Sequence, residues 1–421
     1  MAGPSAEIHN HQLTRGDGIA MGIVQASGPF VPVFIARLGG SPFEVSLLTS
    51  IPAISGFLLA IPIGQFLQGR RRIVPWYARS RMIAHFAYGL AAVAVFFAPS
   101  DLVVPVILVI WALAAVPATI GIVSFYVVMD GAAGPRGRYE LMSRRWAIMG
   151  LTASITVVVV GLLLERIPFP ANYQLVFVGF TLAGLMSYYF SSQFRIPQAD
   201  PPEPRPHASV VDRLGAMIAA VRAQPEFLRF SVSQFIYAAG SQLVLPLIPL
   251  YYVRVVDAPD AWIGVIALCQ SVAALTGFVL WRRVSARRGS RLVFLVSLAG
   301  AAIYPALLAL VDQLIVVALL AGFGGIFSAG VMLALFDELM KSIPGRLAVS
   351  FASINTVLTN AAGIVAPLVG ATLAVVIGIE NALRIGSIVS LLGFVLFAFD
   401  AQRRSDRTSE DTTAKVTPSP N

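Results

Sequence analysis

QASGPFVPVFIAR, residues 25–37, returns as QLVLPLIPLYYVR, residues 242–254. Gln25, Pro29, Pro32 and Arg37 stand against Gln242, Pro246, Pro249 and Arg254, each pair 217 positions apart. The register continues through Pro42 with Pro259 and through Arg70-Arg71 with Arg287-Arg288. Seven matches in one register, inside apolar segments, point to an internal duplication. The spacing has a direct consequence. Proline lacks the N–H that would bond the carbonyl four residues earlier, so Pro29 frees the carbonyl of Gln25 and Pro246 that of Gln242. Each half is expected to carry a bent helix with an orphan carbonyl beside a polar amide. Arg37 and Arg254 follow about 18 Å further along a helix. With those arginines at a membrane surface, both glutamines come near the bilayer centre.

The chain is 57% hydrophobic and 12% charged, with mean hydropathy +0.79; a soluble domain carries about 25% charged residues. The apolar residues fall in blocks of roughly 20, enough to cross a 30 Å hydrocarbon core, which makes this a polytopic membrane protein in contact with lipid. The net charge of +9 does not argue for nucleic acid. Of the 30 basic residues only Lys341 and Lys415 are lysine, and the arginines cluster between apolar blocks, the pattern of cytoplasmic loops. The single cysteine, Cys269, excludes an internal disulfide. Residues 1–15 lack a signal-peptide layout.

The pattern predicts twelve spans, among them 17–37, 103–129 and 146–164, with a tight turn at Val311-Asp312-Gln313. Twenty-four basic residues fall on the side of the termini and four on the other, which places both termini in the cytoplasm. The expected organisation is a six-helix half over 1–195, a linker over 196–226, a second six-helix half over 227–400 and a disordered tail over 401–421. Within the linker, Val211, Leu214, Ile218 and Val221 recur at helical spacing, as in an amphipathic helix lying on the membrane.

Six spans, a long linker and six more, with repetition between the halves, resemble the major facilitator superfamily, whose members are two parallel six-helix halves. The resemblance covers roughly residues 15–400 and implies an all-α membrane fold of two pseudo-symmetric bundles. The superfamily's hallmark after the second span opens here with Gly64 and keeps the basic turn Gly69-Arg70-Arg71-Arg72, with Gln68 at the acidic position. Its counterpart, Ala286-Arg287-Arg288-Gly289, has alanine there. Asp130 with Arg138, and Asp337 with Arg346, resemble the acid and arginine that the superfamily carries after spans four and ten. The resemblance implies a cytoplasmic gate of Arg70, Arg71, Asp130, Arg138, Arg287, Arg288, Asp337 and Arg346; solvated turns are the plainer reading. Two marks of proton-coupled antiporters, an arginine in span four and a Gly-Pro pair in span five, are missing.

Ionisable groups at mid-membrane are costly and point to function. Asp17 and the other acids are read at span ends, and Arg79 and Arg81 as snorkelling to the surface. His85 alone sits deep: a candidate for proton coupling, or a neutral imidazole bonded to a neighbouring helix. The remaining deep polar groups, Gln25, Gln234, Tyr237, Gln242, Gln270 and Asn355, are candidates to line a substrate site near the midplane, where transporter helices are interrupted, or to bond helices together. With no deep arginine or paired acid expected, a small neutral or amphiphilic solute suits this wall. The reading is a monomeric permease of the inner membrane, working by alternating access, with import and efflux both open, a proton as the possible coupling ion, and no cofactor or metal. A non-transporting receptor or assembly factor of the same fold is the alternative. An intramembrane enzyme would need clustered catalytic groups, and His9, His11 and His207 lie in tails or the linker.

Overall fold

The computed structural model describes residues 4–68, 70–196, 224–341 and 348–416. The described chain is helical throughout, without strands, and twelve helical segments are long and apolar enough to cross a membrane. The first span is α1 (Pro4–Gln25) followed by α2 (Phe30–Arg37). Then come α3 (Pro42–Gln68), α4 (Val74–Phe97), α5 (Val103–Arg166) and α6 (Ala171–Ser191). The second half repeats the broken span as α7 (Pro225–Val244) and α8 (Leu247–Arg254). It continues with α9 (Asp260–Arg288), α10 (Ser290–Leu308), α11 (Leu314–Lys341), α12 (Ala348–Ile377) and α13 (Ile379–Val416).

Both repeat helices break where their prolines stand, because Pro29 and Pro246 cannot donate to the helical ladder. The carbonyl of Gln25 is nevertheless not an orphan. The four residues between α1 and α2 form a turn in which the Gly28 N–H donates to it at 3.1 Å. A tight non-helical turn also separates α10 from α11 at Val311–Gln313, as the sequence predicts.

The segment α5 holds two spans, 103–129 and 144–166. They double back on each other. Val128, Met129 and Leu141 share one core with Tyr77, while Val104, Ile107, Val160 and Leu164 share another with Tyr173. At the other end of the chain, α13 runs on to Val416, through residues expected as a disordered tail. No glycine or proline interrupts the sequence between Phe394 and Pro418, so nothing local stops the helix. The amphipathic stretch around 211–221 lies outside the described residues.

The two halves are built alike. In the first, α1 and α4 both pack on α5 and α6; in the second, α7 packs on α12 and α13, and α10 on α11 and α13. This is a bundle of two pseudo-symmetric six-span halves. They meet along α3 with α12, along the second span of α5 with α9, and through α2 with α8. Small residues let backbones approach there. Ser50 Oγ donates to the Ile364 carbonyl at 3.1 Å, and a methyl built on Gly161 would lie 3.3 Å from Gly264 Cα.

The cores show which end is joined. One continuous cluster spans both halves at the end carrying α2 and α8, with Phe34, Tyr173, Phe177, Leu247 and Leu308 among its members. At the end carrying the chain termini each half keeps its own cluster, around Tyr77 in the first and around Phe227, Phe294 and Phe397 in the second.

Candidate functional site: a polar cavity and a latch between halves

One face of α7 presents Gln234, Tyr237, Ser241 and Gln242, spaced so that they line up along the helix. With Ala238, Leu335 of α11, Thr359 of α12 and Phe397 of α13 they line an open cavity of about 180 Å³. Five of these eight side chains carry amides or hydroxyls, but the surface they turn to the cavity is mostly apolar. Drug-sized ligands occupy pockets of about 300–1,000 Å³, so this cavity takes a smaller solute or one end of a larger one. Gln234 is only 6% exposed, and its Oε1 has no hydrogen-bond partner among the described residues. Gln242 also faces the seam between the halves. A methyl built on Gly363 of α12 would lie 3.1 Å from Gln242 Nε2 and 3.3 Å from Ala53 Cβ of α3.

Three of the six residues expected to line a substrate site thus share one cavity. Gln25 does not join them: it is exposed at the last position of α1. Gln270 is exposed on α9 and is not among the cavity's lining residues. The side chain of Asn355 lies outside the described residues. Ser241, Thr359 and Phe397 were not singled out by the sequence. Ser241 was legible as the next turn of the Gln234–Tyr237 face; the other two come from distant helices.

In the first half the corresponding region is filled by charge. Asp17, expected at a span end, is fully buried well inside α1, because the polar N-terminal residues extend the helix. Asn10 helps to anchor that extension by donating to the Ala132 carbonyl and the Arg195 carbonyl. One Asp17 oxygen accepts from Arg81 Nη2 at 3.0 Å and from Ser187 Oγ at 2.7 Å; the other accepts from Arg145 Nη2 at 3.1 Å. Arg81 also donates to the Tyr77 hydroxyl, and its own hydroxyl neighbour Ser187 completes the knot. The guanidinium of Arg145 lies 5.0 Å from the centre of the Phe125 ring, a cation–π contact. Arg81 and Arg145 are 8% and 4% exposed. The expectation that Arg81 snorkels and that no buried acid pairs with a cation is therefore corrected. The three charged residues sit at similar depths on three different spans, and pairing is cheaper than reaching for water past packed neighbours.

His85, one turn beyond Arg81 on α4, packs against Gly184 of α6 and stacks on Tyr88. Its Nδ1 is buried without a partner among the described residues. Tyr88 in turn bonds Ser27, in the turn between α1 and α2, at 2.7 Å.

The duplicated arginines act between the halves. Arg37 Nε donates to Asp260 Oδ1 at 2.9 Å, and its Nη2 to the Ala258 carbonyl at 3.0 Å. Arg254 reaches the other way and donates to the Gly40 carbonyl. Tyr173 adds a hydroxyl bond to the same Asp260 oxygen at 2.9 Å. Asp260 opens α9, where the helix dipole favours a negative charge. At the opposite end, Arg70 lies over the rings of Phe66 and Trp76 within its own half, and Arg71, Arg287 and Arg288 are exposed. The side chains of Asp130, Arg138 and Asp337, and the whole of Arg346, lie outside the described residues, so the gate expected there is not described as a unit.

The fold is a doubled six-span bundle, joined at one end, with a cavity in its second half. Residues 230–420 match the family described as Major Facilitator Superfamily. The structure is similar to a variant of the nucleoside transporter NupG, with TM-score 0.70 and 14% identity over 93% of this chain and 99% of that one. It is also similar to a bacterial homologue of the iron transporter ferroportin in an inward-facing state, with TM-score 0.68 and 15% identity over 95% and 99% of the two chains. A bacterial homologue of the human lysosomal transporter Spinster, inward-facing and unoccupied, gives TM-score 0.67 and 12% identity over 96% and 98%. At these identities the likeness is one of fold. No curated protein matches the chain by sequence. The second half thus matches the superfamily's model, and the whole chain shares the fold of these transporters.

Proposed function

We propose that the chain is a secondary transporter that moves a small uncharged organic solute across the membrane by alternating access. The observation that carries this reading is the pairing of a cavity with a one-ended latch. The cavity is walled by Gln234, Tyr237, Ser241, Gln242 and Thr359. The bonds of Arg37 and Arg254 clasp the two halves together at one end, while at the other end the cores are separate. Taking the arginine-rich loops and both termini as cytoplasmic, following the charge asymmetry, the latched end faces outward and the described state opens inward. Rocking of the halves about the seams of α3 with α12 and of α5 with α9 then exposes the cavity to each side in turn. The wall is mostly apolar, and its lining residues include no carboxylate or imidazole, which favours an uncharged solute over the metal ions carried by some proteins of this fold.

The test is uptake into proteoliposomes of a panel of radiolabelled uncharged solutes, nucleosides and monosaccharides included. The panel is assayed with an Arg37→Cys, Asp260→Cys pair built into a Cys269→Ser background. Oxidation should lock the latch and stop uptake, and reduction should restore it. Undiminished uptake by the oxidised, cross-linked protein would exclude alternating access through this latch.

A further inference from the structure

Polar residues line the cavity between α7, α11, α12 and α13, yet its surface is mostly apolar. The reason lies in where their polar atoms go. Gln234 Oε1 is buried beneath the wall. The Tyr237 hydroxyl is hydrogen-bonded to the side chain of Ser241, one turn further along α7. What remains is largely carbon, from the rings of Tyr237 and Phe397 and from Leu335 and Ala238. A water molecule held inside a protein needs about three polar partners, and this wall offers few. An apolar group gains free energy by leaving water for such a place.

Size narrows the occupant. The volume is about 180 Å³, and an apolar protein cavity of about 150 Å³ takes up benzene. One aromatic ring, or an alkyl group of that bulk, fills it. Position narrows it further. Gln242 lines the cavity and also reaches the seam between the halves, beside Gly363 of α12 and Ala53 of α3. The helix that supplies Thr359, α12, packs on α3 across that seam. The cavity therefore adjoins the space between the halves, where alternating access carries a solute.

Resting on the transport reading above, we infer that this cavity is the site for an apolar group of the solute. The solute is uncharged and carries one aromatic ring or an alkyl group of similar bulk. That group sits against Phe397, Leu335 and Tyr237, while the rest of the molecule stays between the halves. A solute that is polar all over gains nothing from this site.

The experiment uses the full chain in lipid nanodiscs, with Cys269→Ser and a single cysteine introduced by Ala238→Cys. A second protein carries its cysteine through Val375→Cys, at an exposed position of α12 outside the cavity. Labelling by methyl methanethiosulfonate, which is small and uncharged, is followed in the presence of matched solutes. Phenyl glucoside is set against methyl glucoside, and benzyl alcohol against methanol. At roughly four times its half-protecting concentration, at least one ring-bearing solute should slow labelling at 238 about five-fold. Its ring-free partner should not, and neither should slow labelling at 375. Leu335→Trp fills the cavity and should remove the protection. Thr359→Val, equal in bulk and without the hydroxyl, should keep it. Should Leu335→Trp not fold, the matched solutes and Thr359→Val decide alone.

Equal slowing at 238 and 375, slowing by the ring-free solutes, persistence in Leu335→Trp or loss in Thr359→Val would overturn the inference. So would a lack of protection by any solute, the result expected of a cavity already filled by a lipid chain. Protection without flux of any ring-bearing solute into proteoliposomes would sink the transport reading and leave this site standing. Flux without ring-dependent protection would do the reverse.

Discussion

Asp17 and Gln234 occupy the same place in the two halves and have opposite fates. Asp17 is bonded by two arginines and a serine from three other spans, and nothing of it reaches solvent. Gln234 is almost as deeply buried; its side chain borders a cavity, and its oxygen has no partner among the described residues. The first half is therefore fastened through its centre, because α1, α4, α5 and α6 all meet at one carboxylate. The second half has no such tie at this point. Duplication supplied two equal frames; substitution at one position made one a rigid body and left the other with room for a guest. Under the proposed function the stiff half gives a rocking movement something to turn against.

This contrast can be broken by substitution, and the largest effect belongs to the first half. Asp17→Asn removes the charge that both arginines share and leaves them buried without compensation, at a cost of about 3–5 kcal/mol. Thermal unfolding in detergent should show a large loss of stability or no folded protein; a melting curve like that of the parent would refute the account of the knot. The matching change in the second half should act in the opposite sense. Gln234→Leu replaces an unsatisfied acceptor with an apolar group and should raise stability by about 1 kcal/mol. If it melts earlier than the parent, the amide has a partner in the protein.

Smaller effects probe what joins the halves. Arg37→Ala removes a partly exposed ion pair worth about 1 kcal/mol, enough to shift the balance between latched and unlatched states up to about five-fold. The accessibility of a reporter cysteine at position 41 to a membrane-impermeant reagent should rise accordingly. No change would mean that the latch rests on the apolar cluster around Phe34 instead. Smallest of all, Arg70→Ala at the unlatched end touches only rings of its own half and should alter stability by less than about 0.5 kcal/mol in the same melting assay.

What the sequence disclosed follows the reach of each interaction. The helix breaks were legible because proline acts on a carbonyl four residues away. The twelve spans and the twofold plan were legible because hydropathy and repetition are patterns along the chain. The cavity was half legible: Gln234, Tyr237 and Gln242 share one helix, but Thr359 and Phe397 arrive from helices more than a hundred residues later. The Asp17 knot was not legible at all, since Arg145 lies 128 residues away and each member alone reads as an ordinary span-end charge. The equivalence of Gln25 and Gln242 misled for a definite reason. The break in the first half spans four residues, 26–29, and that in the second only two, 245 and 246, so residues matched in the repeat are turned to different surroundings. Arg37 and Arg254 were read as markers of a membrane surface, while in the structure each binds the opposite half.

One contact carries a mechanical consequence. Where α5 crosses α9, Gly161 meets Gly264 with main chain against main chain. Helices usually hold one another by ridges seated in grooves, and turning them means lifting each ridge clear. Two glycines present no ridges, so the surfaces can slide like a plain bearing. A single methyl on either one would act as a cog tooth and make the motion stepwise.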